Sequence, residues 1–329
     1  MSHPHQQSRQ IISAILQSRP AIERVYFVGC GGSLTGFYPA KYFLDCEAKK
    51  LAVGYITSNE FVHATPQALG ENSLVILASQ QGNTPETVEA ARVARAKGAA
   101  TVGLTFAPAS PLCEHSDEVI EYRWARYPET VNPAQQKAAY GLWLALELLQ
   151  QTEGYAHYEA MVSAFEQFEE VVREGQRKVE EDAQRFAQAY KDDKVIYMMG
   201  SGPSFGAAHQ QSICILLEMQ WINSASVHSG EYFHGPFEIT EEGTPFVLLQ
   251  SEGRTRALDD RAIRFIRQYG GKLQLIDARE LGINALPETV RDYFCGLFHT
   301  ALLDVYNLAL SQARHHPLTT RRYMWKVEY

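Results

Sequence analysis

The sequence lacks a basic surplus, a cysteine framework and any long apolar run. Its 30 lysines and arginines are outnumbered by 38 aspartates and glutamates, which disfavours binding to a nucleic-acid backbone. The five cysteines form no Cys-x-x-Cys pair and accompany no histidine cluster at metal spacing. No apolar run reaches the roughly 18 residues that span a bilayer, and the first residues have no signal-peptide pattern. We therefore expect a cytoplasmic protein with no metal and neither a nucleic-acid nor a membrane partner.

An internal repeat is the main organising feature of the 329 residues. Each copy opens with a short apolar strand that leads into a turn of small residues, Gly29-Cys30-Gly31-Gly32-Ser33 in the first and Gly200-Ser201-Gly202-Pro203-Ser204 in the second. A second strand, loop and helix also recur, at residues 74–97 and 246–268. Two copies of one unit predict two domains of similar fold.

The repeated strands are apolar throughout and alternate with helices, which is typical of a parallel sheet buried on both faces. We expect an α/β protein with two doubly wound domains, residues 1–155 and 156–315, followed by a tail of residues 316–329 that could close over the site. A polar helix over residues 158–190 is expected to begin the second domain, because the stretch lacks the composition of a flexible linker.

Two loops in the first copy carry groups suited to an anion. Gly31-Gly32-Ser33 lets backbone N–H groups approach a phosphate, although such turns are also common for geometric reasons alone. Ser79-Gln80-Gln81-Gly82-Asn83-Thr84 is the stronger candidate, because hydroxyls and amides lie where a helix begins. The alternative is a Thr84 N-cap, with an incomplete capping box because Thr87 occupies its third helical position.

Glu218 interrupts an apolar helical segment in the second copy, and we expect it on the same helix face as Cys214 and Trp221. A half-buried glutamate tends to have a raised pKa, which suits a general base. The alternative is a glutamate that points to solvent or pairs with a basic group. His234 lies between aromatics and a Gly-Pro turn, where a histidine can serve in proton transfer or be incidental.

These elements, in this order, resemble the sugar isomerase (SIS) domain family over essentially residues 20–329. The resemblance implies two SIS domains, and it implies that the following residues of the first hold a sugar phosphate: Gly32, Ser33, Ser79, Gln81 and Thr84. Gln81 departs from the family pattern, which usually has serine there. The second copy has Glu252 in the matching loop, which would repel a phosphate, so we expect one catalytic site per chain.

For the second copy the resemblance implies proton transfer by Glu218, which lies sixteen residues before His234 as in the family. His234 is then expected to open the sugar ring, and Glu218 to move a proton between C1 and C2. No cofactor is implied. In the family this histidine often comes from a neighbouring subunit, which implies a homodimer with the active site at the subunit interface.

Three stretches narrow the resemblance to the fructosamine 6-phosphate deglycases: Glu218-Met-Gln-Trp, residues 228–239 and residues 316–329. The function implied is hydrolysis of a fructosamine 6-phosphate to glucose 6-phosphate and a free amino acid. We expect the aspartate adduct as substrate, while asparagine- and lysine-derived adducts share its sugar and phosphate. The alternatives are an aldose–ketose isomerase and a non-catalytic sugar-phosphate sensor.

The tail and one loop residue complete the predicted site. Arginine recognises carboxylates in bidentate fashion, so the tail is expected to meet the amino acid's carboxylates, with ordinary surface ion pairs as the alternative. The tail residues assigned to substrate binding on this basis are Arg321, Arg322, Tyr323 and Lys326, and Glu231 of the loop is assigned to substrate binding as well.

Overall fold

The computed structural model describes residues 3–328, so Met1, Ser2 and Tyr329 of the predicted first domain and tail lie outside the described residues. Its contacts divide the chain into unit 1, Met1–Ala125 with Val131–Glu166, and unit 2, Arg126–Thr130 with Gln167–Tyr329. The domain limits at 155 and 315 stay a prediction. No helix within residues 3–328 combines the length and apolar character that a bilayer crossing needs.

Unit 1 contains a five-stranded parallel sheet in the order β2-β1-β3-β4-β5. Its strands are β1 (Arg24–Gly29), β2 (Ala52–Thr57), β3 (Ser73–Ala78), β4 (Ala100–Thr105) and β5 (Glu118–Glu121). Its helices are α1 (Pro4–Ser18), α2 (Gly32–Thr35), α3 (Tyr38–Glu47), α4 (Ser58–His63), α5 (Pro85–Ala96), α6 (Pro111–Glu114), α7 (Lys137–Thr152) and the start of α8 (Tyr158–Tyr190).

Unit 2 contains a four-stranded parallel sheet in the order β7-β6-β8-β9. Its strands are β6 (Val195–Gly200), β7 (Asn223–His228), β8 (Pro245–Gln250) and β9 (Lys272–Asp277). Its further helices are α9 (Phe205–Gln210), which continues as a π-helical segment (Gln211–Leu217), α10 (Arg256–Gln268), α11 (Ala278–Leu281) and α12 (Cys295–Ala313).

The two sheets confirm the predicted α/β class. β3, β4 and β8 are buried along their whole length, as expected for central parallel strands covered by helices on both faces. In each sheet the strand order reverses beside the first strand of the unit, between β1 and β3 and between β6 and β8. Loops diverge at such a switch point, and ligands of doubly wound folds bind there.

The long polar helix predicted over residues 158–190 is present as α8. The helix around Glu218 differs from the prediction. The π-helical segment ends at Leu217, and Trp221 adopts a left-handed backbone conformation (φ 55°) beyond that end. The expected shared face of Cys214, Glu218 and Trp221 is therefore wrong, because the helix is over before Trp221 is reached. Glu218 instead lies at the helix terminus.

A buried carboxylate ties α1 to α7 and α8 in unit 1. Glu147 is fully buried and accepts hydrogen bonds from Tyr158 Oη (2.5 Å) and Gln151 Nε2 (3.0 Å). His5 Nε2 lies 3.1 Å from the same carboxylate, and its ring stacks on Trp143 at 4.6 Å. A buried ionic group costs stability unless it is fully hydrogen-bonded, so each partner contributes.

We predict that Tyr158→Phe lowers the free energy of unfolding by roughly 1–3 kcal/mol, because it leaves a buried carboxylate without one donor. Urea denaturation measures this. Tyr127→Phe is the matched control, since Tyr127 Oη donates to Glu180 at an exposed position (3.3 Å) and its loss should cost less than about 0.5 kcal/mol. Equal losses in the two variants would contradict the role assigned to the Glu147 cluster.

Candidate functional site

The loops after β1 and β3 in unit 1 start side by side. The register pairs Gly29 with Ala78, so the turn from Cys30 and the loop from Ser79 leave the sheet from adjacent strands at the switch point. The φ angle of Gly31 is 51°, which favours glycine and explains the small residues of this turn. The Ser33 N–H donates to the Cys30 carbonyl (2.9 Å), which closes the turn on itself.

Ser79 and Thr84 are brought together by the loop between them. The two hydroxyl oxygens are 2.8 Å apart, and the Thr84 N–H donates to Ser79 Oγ (3.3 Å). Thr84 does occupy the N-cap position of α5, with Pro85 at the first helical position. In the described part of the chain, however, its hydroxyl makes no capping hydrogen bond, since it faces Ser79 instead. Gln81 is exposed in the same loop.

Gly82 is required by the close approach of two segments. Its φ is 66°, and a Cβ atom at this position would lie 1.9 Å from Ser110 Oγ. Its carbonyl also accepts a hydrogen bond from the Leu112 N–H (2.9 Å). The loop from Ser79 to Thr84 is thus held in one conformation by packing, which keeps its hydroxyls and amides at the carboxyl end of β3.

Lys137 is a cation beside the first loop that the sequence reading missed. Its Nζ donates to the Gly32 carbonyl at 2.6 Å, from the first residue of α7. A Cβ atom on Gly36 would lie 2.7 Å from Lys137 Cε, so that glycine makes room for the lysine stem. No local motif could have indicated this lysine, because it lies more than 100 residues from Gly32 along the chain.

In unit 2 a buried carboxylate lies among the serines that follow strands β7 and β8. Asp259 is fully buried and accepts hydrogen bonds from Ser229 Oγ (2.7 Å) and from the Ser251 N–H (3.2 Å) and Oγ (3.4 Å). Ser229 and Ser251 are the first residues after β7 and β8, as Ser58 and Ser79 are after β2 and β3. Burial raises the pKa of Asp259 to about 6, while the serine hydrogen bonds oppose the rise.

In unit 1 the residue at the same distance from its loop serine is Thr87. Its hydroxyl lies 2.8 Å from Ser58 Oγ and carries no charge. The repeat therefore keeps the hydrogen-bonding position and changes its charge, from a neutral hydroxyl in unit 1 to a carboxylate in unit 2.

That Glu252 repels a phosphate stays a prediction, and the structure shows a further carboxylate in unit 2. Glu252 was expected to repel a phosphate, but its buried carboxylate is balanced by Arg279 (2.7 Å), Arg291 (3.4 Å) and Arg256 (3.7 Å). The negative group that lies among the loop serines is Asp259. A single glycine–serine pattern could not reveal this, since Asp259 is contributed by the following helix.

Glu218 lies in a group of opposite charges in unit 2. Its side chain is 23% exposed, and its Oε1 is 2.8 Å from Arg321 Nη2 of the tail. Burial raises the pKa of Glu218, while Arg321 and Arg126 oppose the rise. The predicted half-buried glutamate with a raised pKa is thus present, and the alternative of a pairing with a basic group is present as well.

Arg126 and Asp304 extend this group and were not found from the sequence. Arg126 belongs to the short segment Arg126–Thr130, which packs with unit 2, and its Nη2 is 3.6 Å from Met219 Sδ. Burial raises the pKa of Asp304 to about 7, and Arg126 counteracts part of that rise. Arg126 thus interacts electrostatically with both Glu218 and Asp304.

The tail is anchored beside Glu218 by several contacts. Gln220 Nε2 donates to the His316 carbonyl (2.9 Å), and the His316 and Trp221 rings meet edge-on at 4.7 Å. The Arg322 guanidinium lies 4.3 Å from the Trp221 ring centroid, within cation–π range. These contacts bring Arg321 to Glu218 and leave Arg322 stacked on an aromatic ring.

Two further tail residues predicted to bind substrate differ in their surroundings. Lys326 Nζ donates to the Arg321 carbonyl (2.6 Å), so its charge lies against the tail's own backbone. Tyr323 is 64% exposed. Their roles in binding stay a prediction.

His234 lies in the loop after β7 and is exposed, as is Glu231. The His234 N–H donates to the Glu231 carbonyl (2.9 Å), and within residues 3–328 no side-chain hydrogen bond to the His234 ring is seen. The neighbouring His228 accepts the Gly230 N–H at Nδ1 (3.0 Å), and burial lowers its pKa. His234 is thus presented to solvent rather than fixed by its own unit.

Comparisons with known proteins show which family and which enzymes this chain is similar to. The family model described as "SIS domain" matches residues 21–135. The chain is 42% identical over 310 residues to fructosamine deglycase FrlB of Bacillus subtilis (strain 168), which covers 94% of this chain and 93% of that protein. It is 28% identical over 260 residues to fructoselysine 6-phosphate deglycase of Escherichia coli (strain K12), covering 79% and 74%.

A solved structure agrees with the fold. A crystal structure from Salmonella typhimurium LT2, described as a phosphosugar isomerase, matches with a TM-score of 0.99 and 76% identity. The match covers 100% of this chain and 98% of that one.

We predict that Asp259→Asn becomes more stable relative to the wild type as the pH rises from about 4 to 7. The folded-state pKa of Asp259 is raised to about 6, so the favourable contribution of its protonated form is complete below the unfolded pKa and is lost as the pH rises through 6. The difference should reach up to about 3 kcal/mol. Urea denaturation across this range measures it, and a pH-independent difference would contradict the prediction.

Proposed function

The chain belongs to the SIS-domain fructosamine deglycases, and from that membership we propose that it hydrolyses a fructosamine 6-phosphate, best the aspartate adduct, to glucose 6-phosphate and a free amino acid. The observation that carries the proposal is the group around Glu218, a partly buried carboxylate with a raised pKa and two arginines beside it. A base and a carboxylate-binding group at one place suit a sugar that carries an amino acid.

Phosphate binding is assigned to unit 1. Gly32, Ser33, Ser79 and Thr84 lie at the ends of β1 and β3, and Thr84 begins α5, whose N-terminus carries positive partial charge. Lys137 beside Gly32 adds a full positive charge. Gln81, exposed in the same loop, has an amide that can reach a ligand.

Proton transfer is assigned to unit 2. His234 protonates the ring oxygen, which opens the sugar to its keto form. Glu218 removes a proton from C1 and returns one to C2, which converts the ketosamine to an aldimine. Water adds to the aldimine carbon and the amine leaves, giving glucose 6-phosphate and the amino acid. General acid–base help of this kind contributes roughly 10²- to 10⁴-fold.

The charge around Glu218 supports an acidic amino acid. Arg321 and Arg126 both act on Glu218, and Arg322 lies nearby on Trp221. Carboxylates match arginine geometry, whereas a lysine adduct would bring a further cation to this surface. Tyr323, Lys326 and Glu231 are proposed as outer contacts to the amino acid, with Glu231 facing the α-nitrogen of the substrate.

The aldose–ketose isomerase remains the alternative, and the Salmonella structure's description favours it. The same two residues serve in isomerisation, because both reactions move a proton between C1 and C2. The arginine pair favours the deglycase, since a plain sugar phosphate has no carboxylate for it.

We further propose a cytoplasmic homodimer with the active site at the subunit interface, supported by a His234 ring that its own unit leaves exposed.

We predict that purified protein releases glucose 6-phosphate from 6-phosphofructose-aspartate faster than from 6-phosphofructose-lysine in a dehydrogenase-coupled assay. Glu218→Gln and His234→Ala should each lower kcat at least about 100-fold, because each removes a proton-transfer group. Glu181→Gln, at a 93% exposed side chain on α8, is the matched control and should keep full activity. Interconversion of glucose and fructose 6-phosphates without release from either adduct would favour the isomerase.

We also predict that Ser79→Ala weakens glucose 6-phosphate binding about tenfold, since a hydroxyl donor to a charged group is lost. Ser251→Ala removes the equivalent serine of unit 2, where Asp259 occupies the site, and should leave the affinity unchanged. Isothermal titration should give one site per chain. Equal weakening by both substitutions would show that the phosphate is not confined to the unit 1 loops.

A further inference from the structure

The nitrogen atoms of the Arg321 guanidinium differ in their hydrogen bonding. Nη1 donates to the carbonyls of Leu318 (3.0 Å) and Thr320 (2.9 Å), and Nη2 lies 2.8 Å from Glu218 Oε1. Its Nε is buried and, within residues 3–328, has no hydrogen-bond partner. An unpaired buried N–H costs free energy, so this edge of the guanidinium is incompletely satisfied.

The unsatisfied group lies on the edge that recognises carboxylates. Nε and one Nη present two parallel N–H groups, which a carboxylate binds through both oxygens. Glu218 engages only the Nη2 side of this edge. A carboxylate of a bound ligand is not fixed in orientation by the protein backbone, so it could accept from both the Nε and the Nη2 N–H groups. It would then compete with Glu218 for Arg321.

We propose that the Arg321–Glu218 ion pair is an autoinhibitory contact, which the carboxylate of the substrate's amino acid opens by taking Arg321. The inference rests on the proposed function. While the pair is closed, one oxygen of Glu218 is occupied and its negative charge is stabilised, both of which weaken it as a base. When Arg321 turns to the substrate, Glu218 keeps its burial and becomes the stronger base.

The surroundings allow this exchange without loss of the tail. Arg322 on Trp221 and Gln220 on the His316 carbonyl hold the tail independently of Arg321. Arg126 still acts on Glu218, so the carboxylate does not become an isolated charge. Gln220 Oε1 and His316 Nε2 are also buried without hydrogen-bond partners in the described residues, so the closed arrangement leaves further polar groups unpaired.

The consequence is that the substrate's carboxylate acts on turnover as well as on binding. A substrate without a carboxylate binds through its phosphate but leaves Glu218 paired. Selectivity for carboxylate-bearing substrates should then appear mainly in kcat, whereas a residue that only binds the carboxylate would express it in KM.

The experiment compares 6-phosphofructose-aspartate with the adduct of methylamine, which lacks carboxylates. For the wild type we expect kcat to be roughly 10- to 100-fold higher with the aspartate adduct. Arg321→Met should raise kcat for the methylamine adduct and leave kcat for the aspartate adduct nearly unchanged, because Glu218 is unpaired with both substrates, so that the ratio of the two kcat values approaches one. Arg321→Lys keeps a positive charge beside Glu218 but lacks the two parallel N–H groups that bind a carboxylate. We therefore expect a low kcat with both substrates. Arg173→Met, on the exposed face of α8, is the control.

Each other outcome overturns the inference in a distinct way. If Arg321→Met raises KM for the aspartate adduct and leaves the methylamine adduct unchanged, Arg321 is a binding residue and not an inhibitory one. If both kcat values fall together in Arg321→Met and Arg321→Lys, its role is structural. If wild type and Arg173→Met release no glucose 6-phosphate from either adduct, the proposed function itself fails, and the inference with it.

Discussion

A parallel sheet gathers polar groups at the carboxyl ends of its strands, and each unit of this chain has to satisfy them at its switch point. Unit 2 does so internally, because Asp259 accepts hydrogen bonds from Ser229 and Ser251. In unit 1 the matching position holds the neutral hydroxyl of Thr87, 2.8 Å from Ser58 Oγ. The loop serine lies beside a threonine hydroxyl in both units, Ser79 with Thr84 and Ser251 with Thr255. A position already filled by a carboxylate cannot take a phosphate without burying two like charges together. In the proposed function, the same repeat thus yields one loop pair that binds the phosphate and one that does not.

In the proposed mechanism, Glu218 has to meet two conflicting requirements. A carboxylate that is to remove a proton from carbon needs a raised pKa, which burial supplies, but a buried charge without partners would cost more than the fold can bear. Arg321 and Arg126 supply the partners that the Glu218 carboxylate needs when no substrate is bound. They also lower its pKa and so oppose the rise that burial causes. The position of Arg321 therefore decides how strong a base Glu218 is.

Features with a local signal were predictable from the sequence. The apolar strands, the small-residue turns and α8 follow from patterns within a few residues. The strand and turn patterns also occur twice, once in each copy of the repeat. The end of the π-helical segment before Trp221 was not, since an apolar run does not distinguish α from π geometry. Lys137 and Arg126 reach their places through contacts between segments far apart in the chain, which no spacing encodes.

Sugar-phosphate recognition and amino-acid recognition are assigned to separate segments, and this bears on how specificity can differ among relatives. The phosphate loops are constrained by backbone geometry, as at Gly82, where a side chain cannot be accommodated. Side-chain contacts, chiefly Arg322 on Trp221 and Arg321 on Glu218, place the tail beside Glu218. Substitutions in the tail can therefore change the charge that meets the amino acid without disturbing the loops. If the tail also governs Glu218, such a change alters turnover and selectivity together.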